Sequence, residues 1–152
     1  MNLANILITG SSGLVGGPLV TKLLSKSNLI VGLDPVINSK NNEKYKHISN
    51  PLKSVEEITS LLKKYDITKI IHTGGISGPM LANENPNLII ENNIFFTMYL
   101  IEAARIYKKI KRFIFCSSIS AYGELAESNT TEEYRFAPEN LYGATKASCD
   151  LL

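Results

Sequence analysis

The chain has 152 residues, 44% of them hydrophobic and 20% charged, with a net charge of +2. That is enough for one domain with a real core, and the balance is that of a globular protein. The small charge argues against nucleic acid or an anionic membrane as partner. No apolar stretch reaches the length of a membrane span. No basic region precedes the first apolar run, so no signal peptide is expected and a cytoplasmic location is the default. The two cysteines, Cys116 and Cys149, have no partner at metal-ligand spacing. They predict neither a disulfide framework nor a metal site and read as small buried residues.

The first element is a short apolar run, Ile6, Leu7 and Ile8, that reads as a buried strand. Thr9 and Gly10 end it, Gly13 and Gly16 follow at three-residue steps, and Leu19, Val20, Leu23 and Leu24 continue at helical spacing. The glycines therefore sit where a strand turns into a helix. The first helical turn has N–H groups with no partner inside the helix, and the macrodipole makes that end positive. A diphosphate can dock there if no Cβ blocks it. Gly10 would permit the tight turn, Gly13 the close approach and Gly16 the packing of helix on strand. Glycines also collect in plain turns, so the context matters. A second apolar run, 29–33, ends in Asp34, about twenty residues on, where an acid is expected to bind ribose hydroxyls and to repel a 2′-phosphate. That favours NAD over NADP. Pro18 falls near the end of the first helical turn, where a missing N–H is tolerable.

Residues 35–46 read as a polar loop and 45–48 as a short third strand. Val55, Ile58, Leu61 and Leu62 have helical spacing, with Ser54 as N-cap and Glu57 three residues on. Residues 68–73 form the next strand, closed by Gly74 and Gly75, and a loop runs to Met80. Pro86 opens a long helix whose apolar positions are Ile90, Ile94, Met98, Ile101 and Ala104. The basic cluster 108–112 suits a helix end and the loop before a strand. Residues 112–116 are that strand, and 117–123 leave it. Residues 124–140 are polar and irregular, and 141–152 form a last helix. Alternating strands and helices predict an α/β fold with a parallel sheet and helices on both faces.

Tyr142 and Lys146 stand four residues apart, hence one turn apart on one helix face. An ammonium near a phenol stabilises the phenolate and suits it to proton transfer with a substrate hydroxyl. A solvated surface pair is the plain alternative. Ser117 and Ser118 lie at the C-terminal end of a strand, the edge where parallel sheets bind ligands. A hydroxyl there can hold the same substrate oxygen, or simply cap a loop.

Five motifs in order resemble the NAD-dependent epimerase/dehydratase branch of the extended short-chain dehydrogenase/reductase family. They are Thr9-Gly10-Ser11-Ser12-Gly13-Leu14-Val15-Gly16 with Asp34, His72-Thr73-Gly74-Gly75, Asn93 with Thr97, Ser117-Ser118 leading to Ala121-Tyr122-Gly123, and Tyr142-Gly143-Ala144-Thr145-Lys146. The resemblance implies a Rossmann-type doubly wound sheet in a three-layer α/β/α arrangement, with residues 1–152 as its NAD-binding domain. It implies Ser118, Tyr142 and Lys146 as catalytic residues. It implies NAD contacts at Gly10, Ser12, Gly13, Leu14, Val15, Gly16, Asp34, Asn50, Thr73, Gly74, Gly75, Asn93, Cys116, Tyr142 and Lys146. The substrate would be a sugar or nucleotide-sugar, and the protein a homodimer through the helices that contain Asn93 and Tyr142.

The chain departs from the family pattern in three places. Asn50 stands where an aspartate is common. Gly74 and Gly75 stand where two alanines are usual, which predicts a more mobile cofactor loop. The chain has about half the family length and would lack the C-terminal substrate domain, as in a fragment or a short paralogue. A non-catalytic NAD-binding module, or a chain that needs a partner to complete its sheet, is the alternative to an enzyme. Ile119 and Ser120 occupy the places where the family's sugar dehydratases carry Asp and Glu, which disfavours dehydration against epimerisation or simple dehydrogenation.

Overall fold

The structure, a computed structural model, describes residues 3–37, 42–77, 85–124, 131 and 133–152. The expected loops at 35–46, 74–80 and 124–140 lie partly outside these residues. The chain divides into two compact units, Met1–Gly74 with Tyr99–Cys116, and Gly75–Met98 with Ser117–Leu152.

The first unit holds a five-stranded, wholly parallel sheet of β1 (Asn5–Thr9), β2 (Leu29–Leu33), β3 (Tyr45–Ile48), β4 (Lys69–His72) and β5 (Arg112–Phe115). The strand order is β3-β2-β1-β4-β5. The order reverses at β1, between β2 and β4, which is the switch point where such sheets leave a crevice at their C-terminal ends. Side chains alternate between the faces. Ile6 and Ile8 point one way, and with Ile30, Tyr45 and Ile71 they form a cluster with Val20 of helix α1 (Gly16–Leu23). Leu7 points the other way and is fully buried, as are Val31 and Ile70, its register neighbours. Both sheet faces are therefore covered, as a doubly wound α/β fold requires.

Helix α2 (Val55–Lys64) starts as expected: the Ser54 hydroxyl accepts from the Glu57 N–H at 3.2 Å. The Glu57 carboxylate reaches back to the Lys53 N–H at 2.7 Å, one residue before the cap. Its buried stripe is Ile58, Thr59, Leu61 and Leu62.

The long helix expected after Pro86 is interrupted. Helix α3 (Pro86–Ile90) leads into a π-helical turn, Glu91–Phe95, and then helix α4 (Phe96–Tyr107). The buried positions along this run are Ile89, Asn93, Thr97, Leu100, Ala103 and Tyr107. The expected stripe, Ile90 to Ala104, is displaced by one residue, and Met98 is 42% exposed. The physical reason is that the side chains of Asn93 and Thr97 find hydrogen-bond partners inside, which offsets the cost of burying them. Helix α4 ends at Tyr107, and Lys108 takes a positive φ of 62° to turn the chain toward β5. Helix α5 (Leu141–Asp150) is capped by Asn140, whose side chain accepts from the Gly143 N–H at 2.8 Å. Neither cysteine forms a disulfide among the described residues; Cys149 is buried as expected, but Cys116 is only half-buried.

Candidate functional site

In the first unit the glycine turn is dictated by contact. Gly10 has φ +66°, and a Cβ there would lie 2.7 Å from the backbone of Gly74. A Cβ on Gly16 would lie 2.1 Å from the Gly10 carbonyl oxygen and 2.9 Å from Thr73 Oγ1. Neither position admits a side chain. Gly13 is different: a Cβ there would meet only the Gly10 carbonyl, at 3.2 Å, with open space beyond. Gly13 thus presents bare backbone outward. The turn is fastened to β2 by Gly10 N–H on the Leu33 carbonyl at 2.9 Å. Thr73 Oγ1 donates to the Thr9 carbonyl at 2.7 Å, and the Gly74 N–H donates to Thr9 Oγ1 at 3.1 Å. The Gly74 hydrogen bond and the close packing of Gly74 on Gly10 join it to the end of β1.

Helix α1 begins at Gly16 with Val15 as N-cap and no side-chain cap. The Gly17 N–H is taken by the Gly13 carbonyl at 2.9 Å, and the positive dipole end of the helix faces the glycine turn. Leu14 and Val15 stand out from the turn, 94% and 56% exposed. Asp34 is almost wholly buried. Its Oδ2 accepts from the Ser12 N–H at 3.0 Å and its Oδ1 from the Val36 N–H at 2.8 Å. A carboxylate has further lone pairs to offer. Asn50 is exposed beyond the end of β3, and Cys116 follows β5, its N–H on the His72 carbonyl at 3.0 Å.

The sequence did not point to the support beneath this turn. Tyr45 is buried, and its hydroxyl lies 3.3 Å from Ser11 Oγ and 3.1 Å from His47 Nδ1. A Cβ on Gly32 would come within 2.3 Å of that hydroxyl. Gly32 is therefore the gap through which a β3 side chain reaches the turn. Burial pushes the Tyr45 phenol above its usual pKa, so it stays a donor. A glycine inside an otherwise large aliphatic strand was the available signal.

The second unit carries the other candidate residues. Ser118 caps the short 3₁₀ turn Ile119–Ala121, accepting from the Ser120 N–H at 3.2 Å. Its hydroxyl proton remains available. A Cβ on Gly143 would lie 2.2 Å from the Ser120 carbonyl, so this glycine lets α5 seat directly on that turn. Tyr142 and Lys146 lie one turn apart on α5, with Lys146 Nζ 6.0 Å from the Tyr142 ring centroid. Lys146 is 6% exposed. Ser117 Oγ donates a short hydrogen bond to the Asp150 carboxylate.

Asn93 is the hub of this unit. Its Oδ1 accepts from the Ile76 N–H at 2.8 Å, and its Nδ2 donates to the Ile76 carbonyl at 3.0 Å and to Thr145 Oγ1 at 3.1 Å. Its carbonyl accepts from Thr97 Oγ1 at 2.5 Å and from Cys149 Sγ at 3.3 Å. Thr145 Oγ1 in turn donates to the Tyr142 carbonyl at 2.7 Å. The π-helical turn is centred on this residue, and such turns concentrate at functional positions. Gly75, at φ +147°, passes so close that a Cβ would lie 2.9 Å from Asn93 Oδ1. Among the described residues no group of acidic, histidine or cysteine side chains could hold a metal ion.

A parallel sheet of this order, a glycine turn at its first strand and a tyrosine–lysine pair on a later helix define a nucleotide-binding α/β protein. The chain belongs to the NAD dependent epimerase/dehydratase family, whose profile matches residues 6–152. It is 27% identical to the dTDP-glucose 4,6-dehydratase of Xanthomonas campestris, over 99% of this chain and 48% of that protein. Among solved structures it resembles the UDP-N-acetylglucosamine 4-epimerase of Methanobrevibacter ruminantium, at a TM-score of 0.86 and 27% identity over 99% of this chain and 49% of that one. It also resembles the UDP-glucose 4-epimerase of Thermus thermophilus in complex with NAD, at a TM-score of 0.83 and 25% identity over 97% of this chain and 49% of that one. The chain spans about half the length of these relatives.

Proposed function

We propose that residues 1–152 are the NAD-binding domain of an enzyme that moves hydride between NAD and a hydroxyl of a sugar or nucleotide-sugar. The observation that carries the reading is Lys146. A lysine that is 6% exposed, beside a tyrosine one helical turn away, is rare in a purely structural role. The first unit fits the cofactor: Gly13 offers bare backbone, α1 the positive end of its dipole with no side-chain cap, and Asp34 a fixed carboxylate. Gly10, Gly13, Gly16 and Asp34 would hold the adenosine diphosphate half, and Lys146 the nicotinamide ribose. NAD supplies the hydride acceptor when bound.

The chain's own residues handle the proton. Ser118 holds the reacting oxygen with its free O–H. Tyr142 takes the hydroxyl proton, and Lys146 places a positive charge beside it. Asn93 fixes the start of α5 through Thr145. Ile119 and Ser120 supply no carboxylic acid next to Ser118, which favours epimerisation or dehydrogenation over dehydration. Leu88, Phe95 and Met98, each over 40% exposed along the α3–α4 run, support a homodimer through that face. Among the described residues no helix is long and apolar enough to cross a membrane, and we place the protein in the cytoplasm.

Tyr142→Phe in the full-length protein tests the reading. It keeps the ring and removes the proton-transfer group. Turnover of a nucleotide-sugar should fall by roughly a hundred- to ten-thousand-fold with NAD affinity unchanged. Wild-type turnover in this variant would overturn the assignment. NAD binding without turnover in the wild type would make the domain a binding module.

A further inference from the structure

Three residues close a hydrogen-bonded ring where the glycine turn meets the end of β2. The Ser12 N–H donates to Asp34 Oδ2 at 3.0 Å, and the Val36 N–H to Asp34 Oδ1 at 2.8 Å. Ser12 Oγ then donates to the Val36 carbonyl at 2.7 Å. Ser12 uses both its backbone and its side chain, and Val36 both its N–H and its carbonyl. Each oxygen of the carboxylate is thereby engaged, so the plane and rotamer of Asp34 are set by the backbone on either side of it. The Asp34 N–H, on the Ile48 carbonyl at 3.1 Å, holds the base of the same residue.

We propose that the Ser12 hydroxyl is a positioning residue for cofactor choice: by clasping Val36 it locks Asp34 in the orientation that accepts ribose hydroxyls and rejects a 2′-phosphate. This rests on the reading that the glycine turn and Asp34 hold the adenosine half of NAD. The physical argument is one of preorganisation. A carboxylate that can rotate or withdraw meets an incoming phosphate with less repulsion, and it holds a diol less well because part of its population points elsewhere. Repulsion against the wrong ligand works only if the repelling charge cannot move away. Without the clasp, Val36 is tied to Asp34, among the described residues, by its N–H alone. The outward Val36 and Ile37 side chains, 66% and 77% exposed, offer little packing to replace it.

The test uses the full-length protein with NAD and NADP as titrants, followed by calorimetry well below the melting temperature. Ser12→Ala removes the hydroxyl but leaves the N–H bond to Asp34. Its NAD affinity should fall by about three- to tenfold while NADP affinity holds or rises, so the NAD/NADP ratio narrows. Ser12→Thr keeps a hydroxyl and should restore most of the ratio. A purely structural hydroxyl would lower the melting temperature of Ser12→Ala and leave the ratio at the wild-type value, which overturns the proposal. Asp34→Ala separates this from the underlying reading. If the wild type binds NAD and Asp34→Ala loses the preference while Ser12→Ala does not, only the clasp is wrong. If the wild type fails to bind NAD, or Asp34→Ala keeps its full preference, both are wrong.

Discussion

The two units are held together by different physics. In the first, the buried side chains are mostly large and apolar: Leu7, Ile8, Ile30, Val31, Ile58, Leu62 and Ile70 are fully buried. In the second, the buried apolar residues among those described are Ile89, Ala121, Ala147 and Cys149, and beside them lie Asn93, Thr97, Thr145 and Lys146. Hydrophobic burial is non-directional and tolerates a change of shape. A buried polar network does not, because each lost partner leaves a group unsatisfied. The apolar core of the first unit should therefore absorb conservative exchange, whereas the second unit, like the buried Thr9, Ser11, Asp34 and His72 of the first, depends on single atoms.

A matched pair of substitutions puts this contrast to the test. Leu7→Ala should cost about 2–5 kcal/mol, but Leu7→Met, which conserves volume, under about 1.5 kcal/mol. Asn93→Leu also conserves size, yet it deletes three side-chain hydrogen bonds, at 2.8, 3.0 and 3.1 Å. It should cost about 2–4 kcal/mol, since the Ile76 N–H and carbonyl lose this partner and Thr145 Oγ1 keeps only its bond to the Tyr142 carbonyl. Denaturant titration measures the totals. Amide exchange localises them, and Asn93→Leu should accelerate exchange in α5 far more than in β1. Equal tolerance of Leu7→Met and Asn93→Leu would erase the distinction.

The same contrast explains what the sequence could and could not say. Four strands were legible because a short, mostly apolar run bounded by glycine or polar residues has few other meanings; β3, Tyr-Lys-His-Ile, was placed without such a run, and Asp34 was legible as an acid at a strand tip. The register of α3 and α4 was not. It turns on Asn93 bonding to residues 17 and 52 positions away, which no local periodicity encodes. Nor could spacing reveal that the Asp34 carboxylate already holds two backbone N–H groups, or that Gly32 opens a path for Tyr45. Apolar burial leaves a periodic trace, but a hydrogen bond between distant residues leaves none.

The cysteines report on the two units separately. Cys116 belongs to the first and is half-buried; Cys149 belongs to the second, is buried and donates to the Asn93 carbonyl at 3.3 Å. Burial pushes the Cys149 thiol above its usual pKa. Cys116 should react with a thiol reagent within mixing, and Cys149 only on opening of its unit. In Asn93→Leu the Cys149 rate should rise by about tenfold or more, if opening there costs some 1.4 kcal/mol less. The Cys116 rate should not move. A rise in both rates would mean that the network at Asn93 supports the whole chain.

The smallest effect is expected from charge in the first unit. Asp66 has a positive φ of 45°, and its carboxylate accepts from Lys109 Nζ at 3.0 Å and from the Tyr107 hydroxyl at 3.1 Å. Lys109 first, then Tyr107, holds its carboxyl below the usual range. A carboxyl with a depressed pKa in the folded state stabilises that state above its unfolded pKa, near 4. The contribution is lost as pH falls through the lower folded value. Asp66→Asn should therefore be less stable than wild type at pH 6, and the gap should close on acidification below pH 4. The pair is solvent-exposed, so the gap should be small and should shrink in 0.5 M salt. Urea midpoints of both proteins from pH 7 to pH 2 measure it. A gap that stays constant across that range would show that the loss does not come from the charge, and the backbone would not explain it either, since aspartate and asparagine both tolerate the left-handed conformation at position 66.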